Sequence, residues 1–203
     1  MRSYIRNKVD KGTFENAFLS NYGAMYEWAE NSICKLEELN ENNLRKALIH
    51  GDYNYHNILI LHNGVATTNF EHFQENIQVT DLYYFFRKAM EKHNWNVRLG
   101  EQMLDYYQRF LSLTDDERLY IGICIAYPEK FWKIANFYFN SGKAKNYALE
   151  YTSKPRNERH PVIVRILRKH SERRSELVCI ALLESLECSL RVTETCMQDS
   201  YYR

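Results

Sequence analysis

The sequence is short of several features that would announce a function. Its formal charge is only +1 over 203 residues, so it lacks the broad basic footprint of a nucleic-acid binder. It has no long apolar run. The longest, Leu177 to Leu183, falls far short of the ~20 residues a membrane-spanning helix needs. The N-terminal stretch MRSYIRNKVDKGTF has no apolar centre to serve as a signal peptide. Cysteines are unpaired by pattern: Cys34, Cys124, Cys179, Cys188 and Cys196 are odd in number and form no CxxC motif. That excludes a disulfide framework and a zinc ribbon and makes a reducing, cytoplasmic setting the default. There is no internal repeat and no low-complexity tract. These absences leave a soluble protein with neither a nucleic-acid nor a membrane partner as the expectation.

What is present is a core. Hydrophobic residues make up 45% of the chain and aromatics 14%, dominated by sixteen tyrosines, a composition that argues against disorder. Charge is unevenly spread: from Lys143 onward there are 12 Lys/Arg against 8 Asp/Glu, leaving 15 against 18 before it. A mild basic tail of this kind reads as a solvated surface.

Helical periodicity dominates. Thr13 is placed to cap a helix whose apolar positions Phe14, Phe18, Tyr22, Met25, Tyr26, Ala29, Ile33 and Leu36 recur at spacings of three and four. Residues 40–43 read as a loop. Further stripes are Leu82, Phe85, Phe86, Ala89 and Met90, and then Leu99, Met103, Leu104, Tyr107 and Leu111. Thr114-Asp115-Asp116-Glu117 forms a capping box, Pro128 suits the start of a helix, and Phe131 to about Asn140 continues it, with Gly142 as a stop. One clear strand signal interrupts this. Ile58–Leu61 and Val65–Thr68 flank His62-Asn63-Gly64, and an Asn-Gly step supplies the positive φ values of a tight hairpin. After the break between Lys154 and Pro161, residues 162–190 read as one or two helices.

The chemistry concentrates just before that hairpin. In His50-Gly51-Asp52-Tyr53-Asn54-Tyr55-His56-Asn57 an Asp and an Asn stand five positions apart. That spacing suits phosphoryl transfer, in which a carboxylate orients the attacking hydroxyl and a nearby amide oxygen ligates Mg²⁺. The hairpin then returns the chain to the same place at Asn69-Phe70-Glu71, and Asp81 opens the next helix, where a carboxylate can accept backbone N–H groups. His50, His56 and His62 recur every six residues, but a loop and a strand end do not converge them on a metal. His50 reads as a packed, hydrogen-bonded residue.

HGDYNYHN resembles the HxDxxxxN loop of aminoglycoside and choline kinases, relatives of the protein kinases. The resemblance implies a mainly α fold with one β-hairpin, equivalent to the C-terminal lobe of that fold. It implies Asp52 as catalytic base, Asn57 as a Mg²⁺ ligand and Asp81 as a brace for the loop, with Mg²⁺ and ATP as cofactors if the chain is active. More closely, HGDYNYHNILI, TNFEHF, QVTDLYYFFRKAMEKHNW and YPEKFWKIANFYFNS are similar to spore-coat proteins of the CotS type over roughly residues 5–145. That likeness implies a spore-coat location, with other coat proteins or a second copy as partners through the lobe face that an N-terminal lobe would otherwise cover. The domain division expected is a kinase-like lobe over residues 1–145 and a divergent helical tail over 146–203.

Three departures qualify the enzyme reading. Asn69 stands where active phosphotransferases carry a metal-binding Asp, which costs the site a full negative charge; Glu71 is an alternative ligand two positions on. Before residue 50 the only glycines are Gly12 and Gly23, so there is no G-x-G-x-x-G loop and no lysine-bearing strand of an N-terminal lobe. The tail after Lys143 no longer resembles the spore-coat pattern. The expected function is therefore structural or protein-binding, the alternative being a phosphotransferase completed by a lobe supplied elsewhere.

Overall fold

The structure, a computed structural model, describes residues 2–140. The helix stop expected at Gly142, the break between Lys154 and Pro161, the helices over 162–190 and the tail over 146–203 lie outside them. Among the described residues the chain runs α1 (Arg2–Asn7), α2 (Thr13–Glu38), β1 (Lys46–Ile49), β2 (Ile58–Leu61), β3 (Gly64–Thr67), β4 (Gln74–Ile77), α3 (Val79–Lys92), α4 (Val97–Gln108), α5 (Asp115–Ala126) and α6 (Glu129–Asn140). No described helix is long and apolar enough to cross a membrane. Two compact units divide it, the first ending at Cys34 and resuming at Ala126, the second comprising Lys35–Ile125.

The first unit is an aromatic cluster. The spacing of three and four in α2 puts Phe14, Phe18 and Met25 on one buried face, where they meet Ile5 of α1 and Phe131, Ile134 and Ala135 of α6. The Phe18 and Phe131 rings stack at 5.2 Å with 4° between their planes, an arrangement favourable beyond its area alone when offset. Thr13 proves to be the first helical residue rather than the cap, since the Asn16 N–H already donates to the Gly12 carbonyl at 3.1 Å. Pro128 sits just ahead of α6, its carbonyl accepting the Phe131 N–H at 3.0 Å.

In the second unit Val79, Tyr83, Phe86 and Met90 of α3 pack with Leu104 of α4 and Ile121 and Ile125 of α5. The two apolar stripes expected here each divide: Phe86, Met90 and Leu104 enter the core, while Leu82, Phe85, Leu99, Met103 and Tyr107 line a groove. The mainly helical class holds, but the β content exceeds the single hairpin. A second two-stranded antiparallel sheet pairs β1 with β4, Ile49 opposite Gln74 and Lys46 opposite Ile77. Gln-Glu-Asn-Ile has no alternation to betray a strand; pairing with a segment about thirty residues earlier makes it one. The hairpin β2–β3 forms in register, Leu61 opposite Gly64. Its turn is a correction, because none of His62, Asn63 and Gly64 has positive φ. A two-residue turn with ordinary φ values closes it, and a Cβ on Gly64 would meet nothing within 4 Å.

Glu117 ties this unit together. The capping box forms as expected: the Thr114 N–H donates to Glu117 Oε2 at 3.0 Å and the Glu117 N–H to Thr114 Oγ1 at 3.2 Å. The same fully buried carboxylate takes two hydrogen bonds from the Arg45 guanidinium, Nε to Oε1 at 2.6 Å and Nη2 to Oε2. Arg45 in turn donates to the Ser112 carbonyl at 2.6 Å, and its own carbonyl accepts the Gln78 N–H at 2.8 Å. Burial alone pushes the Glu117 carboxyl up, but hydrogen bonds from Arg45 and the Thr114 backbone outweigh it and hold the group below its ordinary value of 4.5. A depressed folded value means the stabilisation is complete above about pH 4.5 and is lost as pH falls through the lower folded value. Glu117→Gln is therefore expected to cost about 1–3 kcal/mol near neutral pH, and the deficit should shrink in acid. Urea melts of both proteins near pH 6 and near pH 3.5 check this, and a constant deficit would show that Glu117 does not carry the acid sensitivity.

Candidate functional site

The two small sheets bring the motif residues together. β1 runs directly into His50-Gly51-Asp52, and its partner β4 leads into α3, so Asp81 in the first turn of α3 reaches the loop. Asp81 Oδ2 accepts the His50 N–H at 2.7 Å and Oδ1 accepts the Gly51 N–H at 3.0 Å. A residue thirty positions downstream thus satisfies two donors of the loop that carries Asp52. Gly51 has φ +78°, and a Cβ there would fall 2.2 Å from the His72 carbonyl oxygen. Only glycine fits that approach.

His50 is buried and polar at both ring nitrogens. Nε2 lies 2.8 Å from the Thr68 carbonyl, which can only accept, so Nε2 carries the proton. Nδ1 is then free to accept the Asp52 N–H at 3.3 Å. One ring therefore joins the loop to the end of the hairpin, and the Thr68 N–H donates to the Asn57 carbonyl at 3.0 Å to close the same connection. His56 and His62 are exposed, and among the described residues no three His, Cys, Asp or Glu side chains converge on one point.

Asp52, Asn57 and Asn69 meet. Asn57 Nδ2 donates to the Asp52 carbonyl at 2.9 Å and to Asp52 Oδ2 at 3.1 Å. Two acceptors on that side fix the amide's orientation and turn Asn57 Oδ1 towards Asn69, whose Nδ2 donates to it at 3.3 Å. Asn69 has left-handed φ/ψ of 71° and 53°, a conformation Asn tolerates better than most residues. Glu71 is exposed, with no bond to the cluster. Sequence reasoning did not single out Asn54, which is buried. Its side chain accepts the His56 N–H at 2.9 Å and donates to the Asp52 carbonyl and Oδ1 at 3.0 and 2.9 Å. An Asn two residues before a backbone N–H was the available signal, since Asn side chains favour that local bond. Asp52 is thus not an idle carboxylate in an open cleft: both of its oxygens receive an amide donor.

A groove of about 640 Å³ opens beside this loop. Tyr53, Phe85, Tyr106 and Phe110 give it aromatic walls, and Asp81 borders it. Lys92, in the last turn of α3, stands over the Tyr55 ring at 4.6 Å, close enough for a cation–π contact.

These contacts rank the two carboxylates. Asp81→Ala leaves two backbone donors without a partner, an expected loss of about 1–3 kcal/mol each. Asp52→Ala is expected to cost less, because Asn54 and Asn57 both retain the Asp52 carbonyl as acceptor. Gly51→Ala should be at least as damaging as Asp81→Ala, while Gly64→Ala should leave stability within roughly 0.5 kcal/mol. Denaturant midpoints of the four variants give the order directly, and Asp52→Ala melting below Asp81→Ala would reverse the assigned roles.

No protein-family profile matches this chain, and no curated protein does. A solved structure does: the aminoglycoside phosphotransferase from Alicyclobacillus acidocaldarius subsp. acidocaldarius DSM 446 superposes with a TM-score of 0.67 at 16% sequence identity. The match covers 92% of this chain and 54% of that one, so the chain spans about half the length of the phosphotransferase it resembles. The chain's fold is thus similar to about half of that aminoglycoside phosphotransferase's fold.

Proposed function

We propose that this chain is a kinase-like lobe without phosphotransferase activity of its own, and that it works by holding other proteins. The spore coat is the setting that its ordered motif resemblances imply. The observation that carries this reading is the Asn57–Asn69 contact. A phosphotransferase of this fold would need Mg²⁺ and ATP, and Mg²⁺ takes oxygen ligands in near-octahedral geometry. Here the Asn57 oxygen, which would face such an ion, faces an amide N–H₂ instead. Asp52 is the one carboxylate in the cluster, and it already accepts Asn54 and Asn57. The donor set therefore closes on itself as a neutral hydrogen-bond network around one anion, and it does not fit a divalent cation. Kept in this form, the loop supports the fold, and its surfaces are left for contacts.

Calorimetric titration of Mg·ATP into the full chain is expected to show no binding tighter than millimolar. A low-micromolar dissociation constant that disappears in Asp52→Ala would favour the alternative, a phosphotransferase completed by a second lobe. The complementary variant is Asn69→Asp. Its carboxylate would face Asn57 Oδ1 with no proton between them, so metal-free stability is expected to fall through oxygen–oxygen repulsion and the nearby Asp52 charge. Mn²⁺ in tenfold excess over its dissociation constant would restore about 1.4 kcal/mol, a rise of about 3–5 °C in melting temperature. The parent protein should show no such rise, and equal metal responses in the two proteins would remove Asn69 as the residue that closes the site.

A further inference from the structure

The β2–β3 hairpin stands as a two-stranded sheet, and among the described residues neither strand has a second neighbour. Ile60 is 88% exposed and Val65 67%, while Leu59 and Leu61 of the opposite face are about half exposed. A two-stranded ribbon with both faces open is marginal by itself. Natural edges are blunted by Lys, Pro, bulges or inward-pointing charges, and residues 57–69 contain no Lys, Arg, Asp, Glu or Pro.

The ladder shows which groups are open. The Thr68 N–H bonds to the Asn57 carbonyl, and Leu59 pairs with Ala66 and Leu61 with Gly64. Hydrogen-bonded and non-bonded pairs alternate along an antiparallel ribbon. Ile58 and Ile60 therefore aim their N–H and C=O groups away from β3, at the outer edge of β2.

We propose that this edge pairs antiparallel with the β2 edge of a second copy of the chain, making a four-stranded sheet β3–β2–β2–β3 about a two-fold axis. The proposal deepens the protein-contact reading above and rests on it. Charge argues for a second copy as the occupant. An all-aliphatic, uncharged strand meets its own image without like-charge repulsion, as an isologous interface requires. The edges of the other sheet are different: β1 carries Lys46 and β4 carries Glu75, and self-pairing there would bring like charges together. β3 is uncharged too, but Gly64, Ala66 and Thr67 offer less apolar surface than Ile58, Leu59, Ile60 and Leu61. The register that uses both open residues sets Ile58 against the partner copy's Ile60 and Leu59 against its own counterpart. That pairing makes four backbone hydrogen bonds and sets the aliphatic side chains of Ile58, Leu59 and Ile60 beside those of the partner strand. The contact is small, so dissociation is expected on the order of tens of micromolar rather than nanomolar.

Sedimentation equilibrium of the full chain across that concentration range should show a reversible monomer–dimer equilibrium. Ile60→Pro deletes the outward N–H at a position where an edge strand tolerates proline, and Ile60→Lys adds the charge that the edge lacks. Each should weaken self-association at least tenfold, with Ile60→Lys guarding against misfolding of the proline variant. The register has its own readout. Leu59→Cys places two thiols at a non-bonded antiparallel pair, with Cα atoms about 4.5 Å apart, within disulfide range. It should cross-link under mild oxidation above the level of the parent, whereas Leu61→Cys, offset by four residues, should not. A parent chain that stays monomeric throughout, or a dimer that survives Ile60→Lys, overturns the proposal. Neither result bears on the Mg·ATP titration, which decides the non-catalytic reading separately.

Discussion

Asp81 makes the contact on which the rest of the site depends. Its two oxygens hold the His50 and Gly51 N–H groups, and those two residues form the bend that delivers Asp52. At Gly51 the backbone is left-handed and pressed against the His72 carbonyl, so the chain cannot relax there without disturbing the segment that leads to β4. A buried backbone donor without a partner is costly, and a single carboxylate satisfies two of them from a position fixed by the packing of α3. Val79, Tyr83, Phe86 and Met90 lock that helix into the core of its unit. The position of the loop is thus set by hydrophobic burial some distance away and transmitted through two hydrogen bonds.

Electrostatics within the loop follow from one residue identity. An aspartate at position 69 would face the Asn57 oxygen with a second anion beside Asp52, an arrangement that calls for a cation. With Asn69 the facing group is a donor, and the bond to Asn57 closes without a metal. His50 adds to this from the other side by bridging the Thr68 carbonyl and the Asp52 N–H. The geometry of the loop and its charge are therefore separable: hydrogen bonds hold the first, and the residue at position 69 sets the second. The uncharged hairpin that returns the chain to Asn69 is the same element that leaves an open aliphatic edge, so the site and the proposed contact surface share one strand pair.

Much of this was legible along the chain because it is local. The Thr114–Glu117 capping box and the apolar runs around residues 62–63 are short-range patterns, and each appears where it was expected. The helix over residues 14–36 does too, but its stripe is buried only at Phe14, Phe18, Met25 and Ala29, while Tyr26, Ile33 and Leu36 are exposed. The five-residue spacing from Asp52 to Asn57 likewise predicts that the two side chains can meet, and they do. The errors are local too: Gly12 and not Thr13 stands at the cap of α2, and the turn at His62-Asn63 needs no positive φ, so Gly64 is simply a strand residue.

Long-range partners were not legible. Nothing in Gln74–Ile77 marks it as a strand until Lys46–Ile49 lies beside it, and nothing near Arg45 or Glu117 announces a buried pair seventy-two positions apart. Nothing in the motif singled out Asn54, yet it is buried and supports Asp52 through two hydrogen bonds. By itself the sequence determined the helices, the hairpin and the residues able to do chemistry, since these depend on neighbours within a few positions. Only the tertiary structure decided that Asn69 donates to Asn57, that the donors Asp81 braces are the His50 and Gly51 N–H groups, and that half of each amphipathic stripe lines a groove. Those outcomes depend on which distant segments exclude water from one another, and that balance is not written in any window of the chain.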